Sequence, residues 1–199
     1  MGSVGIANRI KEFLDQGNWK YSYDEENNTF SFGVAMGNPI KNIRMLVVAE
    51  ETSFWTKAIL PIGADMTDIK QSYEVMKFVC QVNYSLKNGN FEIDLNDGEI
   101  GYKCFVDCED VEDISLKVIE NSIICPALMF KRYTAGFEDI IFKGASAEDA
   151  YKKSEKGHLD MLMKLLSDLE DSIPDGRKRE EGSQMESVRE SLLSNDCCS

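Results

Sequence analysis

Histidine is nearly missing from this chain: 199 residues hold one, His158, beside Gly157. No nucleophile stands next to it, so it has nothing to activate as a catalytic base. Basic side chains are also in short supply. Lys and Arg number 22 against 35 Asp and Glu, a formal net charge of -13. A surface that acidic repels phosphate backbones and anionic bilayers, which excludes nucleic acid and membrane as partners. No apolar run approaches the roughly 20 residues that span a bilayer. The N-terminus carries no basic stretch followed by an apolar run, and Ile6 stands where a myristoylation signal needs Ser or Thr. The expected compartment is the cytoplasm. Phosphate-loop, nucleophile-elbow and dinucleotide-binding glycine patterns are all missing, and no cofactor is expected.

What is present reads as one domain with an appendage. Apolar residues make up 43% of the chain, enough for a real core. Ile6, Ile10, Phe13 and Leu14 form one stripe on a first helix over residues 3–15, closed by Gly17-Asn18. Strand-like segments follow. Trp19, Tyr21 and Tyr23 alternate with polar residues, and Glu25-Glu26-Asn27-Asn28 makes a turn. Phe30, Phe32, Val34 and Met36 alternate until Gly37-Asn38-Pro39 breaks the strand. Residues 43–49 are apolar on both parities, as in a central strand, and 54–62 end near Pro61, which cannot donate to a ladder. Short strands joined by short turns imply an antiparallel meander.

A second helix is expected to open at Asp65 or Thr67 and to end at Asn88-Gly89. Its apolar residues (Ile69, Tyr73 and Met76 on one stripe, Val75, Val79, Val82 and Leu86 on another) cover over half its circumference, predicting burial along most of its length. Phe91, Ile93 and Leu95 then alternate outward from Asn90, and Asn96-Asp97-Gly98 suits a primed hairpin turn. In the strand that follows, Ile100, Tyr102, Cys104 and Val106 share a face, with Phe105 an exception on the polar side. Residues 114–124 have helical period, and Pro126 predicts a break with a second helical piece running toward Phe142.

Asn83, the run Gly89-Asn90-Phe91-Glu92-Ile93-Asp94, the turn Asp97-Gly98-Glu99-Ile100, and downstream Pro126, Tyr133 and residues 137–144 resemble the YbjN family of bacterial proteins. That family is described as sensory-transduction regulators with a fold like the class I chaperones of type III secretion. The resemblance covers residues 3–144. It implies a non-enzymatic protein-binding domain able to dimerise.

Beyond it, Leu159, Leu162, Leu165, Leu166 and Leu169 make a helical stripe over residues 145–173, opposite a charged face. These leucines must be buried on their own domain, in a homodimer or in a partner's groove. Residues 174–199 are polar and poor in aromatics, the composition of a disordered tail.

Two constellations invite chemistry. Asp94, Asp97, Glu99, Asp107, Glu109, Asp110, Glu112 and Asp113 could be read as the metal site of a hydrolase, but the calcium-loop offsets are not met. A solvated strand face and linker accounts for them. Cys104 and Cys108 share one strand face roughly 13 Å apart, too far to chelate one zinc. The six cysteines (Cys80, Cys104, Cys108, Cys125, Cys197 and Cys198) do not have disulfide-scaffold spacing, and reduced thiols are expected.

The sequence therefore predicts an α+β domain over 3–144, an antiparallel sheet of five or six strands with helices packed on it, like a type III secretion chaperone. A helix at 145–173 and a tail at 174–199 complete it. The predicted function is non-enzymatic binding of an apolar segment of another protein, with Phe54, Trp55 and the five leucines as candidate contacts. The rival is a metal-assisted hydrolase built on the acidic residues.

Overall fold

The computed structural model describes residues 2–37 and 40–172. The expected tail, with Cys197 and Cys198, lies outside the described residues, as do Asn38 and Pro39 of the expected strand break. The chain divides into two units, Met1–Tyr151 and the residues from Lys152 onward.

The first unit opens with α1 (Ser3–Gln16), whose Ile6, Ile10 and Leu14 are fully buried. Four strands follow as the predicted meander: β1 (Ser22–Asp24), β2 (Thr29–Ala35), β3 (Asn42–Ala49) and β4 (Ser53–Gly63). Next come α2 (Ile69–Ser85), β5 (Asn90–Ile93) and β6 (Glu99–Asp107). All pairings are antiparallel, and β6 inserts between β4 and β5, giving the order β1-β2-β3-β4-β6-β5. The architecture is the expected α+β one, with six strands in the sheet. Pro61 lies near the end of β4, where pairing to β6 shifts register between Ile59 and Gly63. Its missing N–H removes no regular rung there.

Period-two patterning divides the sheet into two faces. Phe30 and Phe32 of β2, Ile43, Met45 and Val47 of β3, Phe54, Thr56 and Ala58 of β4, and Ile100, Tyr102 and Cys104 of β6 are buried on one side. That side carries the helices. The largest cluster forms around Phe91, whose ring meets Tyr102, Phe130, Tyr133 and Phe137 at centroid distances of 4.8, 5.3, 5.7 and 5.4 Å.

The predicted break at Pro126 does not occur. A single helix, α3 (Leu116–Lys143), runs through it. Proline has no N–H to offer the carbonyl four residues back, on Ser122. The Thr56 hydroxyl supplies the donor instead, 2.7 Å from the Ser122 oxygen and buried. The helix therefore survives because a strand residue satisfies its orphaned acceptor. Gly144 ends α3 in the left-handed region (φ +66), its N–H bonding the Ile140 carbonyl.

Other boundaries also differ from expectation. Asp68, not Asp65 or Thr67, caps α2, accepting from the N–H groups of Lys70 and Gln71 at 3.0 Å. Asp65 is spent on the turn before it, accepting from the N–H and hydroxyl of Thr67. The helix stops at Ser85, ahead of Asn88-Gly89. Nor is α2 buried along most of its length, because Ile69 is 83% exposed and Tyr73 and Tyr84 also face solvent. The sheet meets the Val75, Phe78, Val79 and Val82 side. Leu95 is likewise exposed (62%), since β5 ends at Ile93 and Leu95 falls in the turn. That turn is not a two-residue primed one. The Gly98 N–H bonds back to the Asp94 carbonyl at 2.8 Å, and Gly98 alone takes positive φ (+76) there.

The last helix, α4 (Ala147–Ser172), starts in the first unit and continues into the second. Ser146 caps it by accepting from the Asp149 N–H, while the Glu74 carboxylate accepts from the Ala147 N–H at 2.7 Å. Ala147, Ala150 and Tyr151 are buried, so packing in the first unit extends past Gly144.

Candidate functional site

The side of the sheet opposite α1, α2 and α3 carries the residues of the other parity. Register places them in rows across β3, β4 and β6. Val48 pairs with Trp55, and Trp55 with Phe105. The next row is Leu46, Lys57 and Lys103, and the one after is Arg44, Ile59 and Gly101. The first row is apolar throughout. Phe105 is 59% exposed, and Val48 and Trp55 are partly exposed. A ring exposed to that degree on a middle strand contributes little to the core, because most of its area stays in water.

Trp55 is held in place. Its indole N–H donates to Glu50 at 3.0 Å, and Glu50 also accepts from the Ser53 hydroxyl at 2.8 Å. The Ser53 bond, then the Trp55 bond, holds the Glu50 carboxyl below its ordinary pKa, so it is charged and accepting at neutral pH. The Lys103 ammonium sits over the ring, 4.7 Å from its centroid. Trp55 thus presents an aromatic surface of fixed orientation.

Cations line the neighbouring rows. Lys57 pairs with Glu99 at 2.9 Å and Arg44 approaches the same carboxylate at 3.7 Å. Beside them, Ser31, Gly33, Arg44, Ile59 and Pro61 border a depression of about 580 Å³ over β2, β3 and β4. Gly33 lowers the floor, because it raises no side chain.

Of the predicted contacts, Trp55 lies on this face. Phe54 does not: it is fully buried on the helix side, a correction that follows from the strand's alternation. Both parities of β4 begin with an aromatic, so pattern alone could not say which pointed outward. Leu159, Leu162, Leu165, Leu166 and Leu169 lie on α4 in the second unit, where Leu165 and Leu169 are exposed. Phe105 is absent from the predicted contacts, yet its signal was in the sequence, as the one large hydrophobe on the polar parity of its strand. Leu46 and Val48 gave no comparable signal within an all-apolar run.

The acidic residues do not converge. Among the described residues no three His, Cys, Asp or Glu side chains gather as a metal site. Several of the carboxylates are engaged by other groups. Asp94 accepts from the Asn96 backbone and side chain, Asp97 from the Glu99 N–H, and Asp107 from the Glu109 N–H. Asp113 pairs with Arg9 at 3.2 Å. Turn formation engages Asp94, Asp97 and Asp107.

One sheet edge is partly covered. Asn83 of α2 donates to the Phe91 carbonyl at 2.9 Å and accepts from the Phe91 N–H at 2.8 Å. Its amide imitates a neighbouring strand, blocking part of the β5 edge against pairing with another chain.

No family model matches the chain, and no curated protein matches it. Solved structures do show a likeness. The HopA1-SchA chaperone-effector complex has a chain 11% identical with a TM-score of 0.43, covering 65% of this chain and 92% of that one. A chain of the ExsC-ExsE complex is 12% identical with a TM-score of 0.46, over 65% and 93%. YbjN from E. coli is 8% identical with a TM-score of 0.48, over 65% and 91%.

Proposed function

We propose that this chain is a non-enzymatic protein-binding module, chaperone-like or regulatory, whose open sheet face takes an apolar segment of a partner protein. The observation that carries the reading is the row of Val48, Trp55 and Phe105. It lies in register on three adjacent strands of the face opposite α1, α2 and α3. Contiguous apolar surface of this kind on a sheet marks an interaction site. An indole oriented beforehand by Glu50 and Lys103 loses little freedom on binding, which favours its use as an anchor. The α4 leucines, Leu159, Leu162, Leu165, Leu166 and Leu169, are proposed as a second contact surface, for the partner or for a second copy of the chain. The YbjN-like residues quoted above fit the same role in a bacterial cytoplasm.

The test is photo-crosslinking in native cytosol, with a photoreactive phenylalanine analogue at position 105 and, as a control, at position 128. Leu128 is exposed on α3, away from the sheet. Proteins joined at 105 but not at 128, and lost when Trp55→Ala is added, support the reading. An identical set from both positions, or none from 105, overturns it.

A further inference from the structure

Two thiols from distant parts of the chain meet in the core. Cys104 lies on the helix side of β6 and is buried, and Cys125 lies on α3 and is half-buried. Both sulfurs border the same stretch, the Asn88-Gly89 backbone and the Tyr102 side chain. The Tyr102 hydroxyl stands 3.9 Å from the Cys125 sulfur and donates to the Asn88 carbonyl, which lies 3.9 Å from that same sulfur. Gly89 closes the other side. A Cβ there would come within 2.8 Å of the Cys104 sulfur and 2.7 Å of the Tyr102 ring. The backbone has left this space to the sulfur. Cys108 shares the strand but lies roughly 13 Å from Cys104 and cannot join the pair.

The two sulfurs differ in access and in proton affinity. The neighbouring Cys104 thiol, against the opposing effect of burial and together with the Tyr102 hydroxyl, brings Cys125 down to about 6. Cys104 is pushed well up by the nearby Cys125 sulfur and by burial. Near neutral pH the accessible sulfur is therefore the nucleophile, and the enclosed one keeps its proton.

We propose that Cys104 and Cys125 are a peroxide-sensitive thiol pair that closes to a reversible disulfide tying α3 to β6. The Cys125 thiolate attacks a hydroperoxide and cleaves the O–O bond, giving a sulfenic acid and releasing an alcohol or water. The Cys104 sulfur then displaces the sulfenic oxygen as water, forming the S–S bond. Two thiols lose two electrons and two protons, and the peroxide takes them up. Closure requires the sulfurs to approach to about 2 Å. The position next to Cys125 is Pro126, where α3 lacks a backbone rung, so the helix can yield at the point where movement is needed.

The full chain, reduced and then exposed to hydrogen peroxide, is quenched with an alkylating agent and mapped by peptide mass. The expected product is a peptide pair linked through Cys104 and Cys125, two hydrogens lighter than the reduced pair and released by dithiothreitol. The linked protein should melt at a higher temperature than the reduced one. Cys104→Ser should leave Cys125 as a sulfenic acid that dimedone traps, and Cys125→Ser should leave Cys104 fully reduced. The wild-type map decides the matter even if a variant fails to fold. The pair is overturned if exposed Cys80 oxidises while Cys125 stays reduced. It is equally overturned if Cys125 proceeds to sulfinic acid with Cys104 still free, or links to a different cysteine.

Discussion

Thr56→Val replaces one hydroxyl by a methyl group of nearly the same shape, and its consequence depends on a proline far away in sequence. Thr56 is fully buried, and its hydroxyl is the donor to the Ser122 carbonyl at 2.7 Å. Because residue 126 is proline, that carbonyl has no helical N–H to fall back on. Valine would leave a buried acceptor unsatisfied, at a cost of about 1–3 kcal/mol. Pro126→Ala supplies the missing N–H. Taken alone it recovers some of the roughly 3 kcal/mol that a mid-helix proline costs, offset by lost ring packing of about 0.8 kcal/mol per methylene. In the alanine background the Ser122 carbonyl is served from within the helix, so Thr56→Val should then cost about 1 kcal/mol or less. The two changes should therefore couple favourably by about 1–2 kcal/mol. Urea unfolding of the wild type, both single variants and the double variant measures this directly. Costs for Thr56→Val that agree within about 0.5 kcal/mol in the two backgrounds would refute the account of how α3 passes its proline.

Three further outcomes follow from local chemistry. Asn83→Ala removes both bonds to Phe91 and should destabilise the chain by about 1–3 kcal/mol, with the Phe91 amide exchanging faster in deuterium exchange because the β5 edge opens. Glu50 has a lowered pKa when folded, so its bond to Trp55 is present above the ordinary value of 4.5 and is lost as pH falls through the lower folded value. Trp55 emission, read in a Trp19→Phe background, should change in that acidic window and not in Glu50→Gln, which keeps an oxygen acceptor but does not titrate. Tyr21 donates to Asp15 at 2.7 Å, and that bond, with some burial and the carboxylate's charge, raises it to about 12. The bond's stabilising effect is complete below pH 10 and lost as pH rises through about 12. Ultraviolet titration should show two tyrosines ionising late, Tyr21 and the buried Tyr102, and Asp15→Asn should return Tyr21 alone toward 10.

The sheet was legible because period two survives any tertiary context that buries one face. The β2 strand shows this: Phe30, Phe32 and Val34 alternate in sequence and turn toward the helix side in space. Failures occurred where the deciding partner is not local. Pro126 predicts a broken helix because its remedy is not local: Thr56 reaches the Ser122 carbonyl across 66 residues. The start of α2 was misplaced because Asp65, Thr67 and Asp68 can each cap, and only geometry shows that Asp65 is engaged by Thr67. Leu95 keeps the alternation of β5 after the strand has ended, so its pattern points inward while the residue points out. For the candidate site, Phe54 and Trp55 stand side by side in sequence, and the parity that separates them is set by pairing with Val48 and Phe105 rather than by composition.

A sheet with one face packed and the other bare usually makes the bare side polar. This one departs from that in a graded way. Moving along β4 from its start, the rows on the open side read Trp55, then Lys57, then Ile59, and their cross-strand neighbours on β6 read Phe105, Lys103 and Gly101. Charge therefore leaves the first row apolar and enters in the second, with Lys57 and Lys103, and in the third, with Arg44. Lys103 does so while lying against Trp55, which shields the indole without removing it. Such spacing discourages broad self-association, because two like faces would bring Lys57 and Lys103 against their own copies. On the proposed reading, a narrow apolar segment displaces the Lys103 side chain and lies along Val48, Trp55 and Phe105. On that reading, polar groups distributed across the face in this way limit what can dock there.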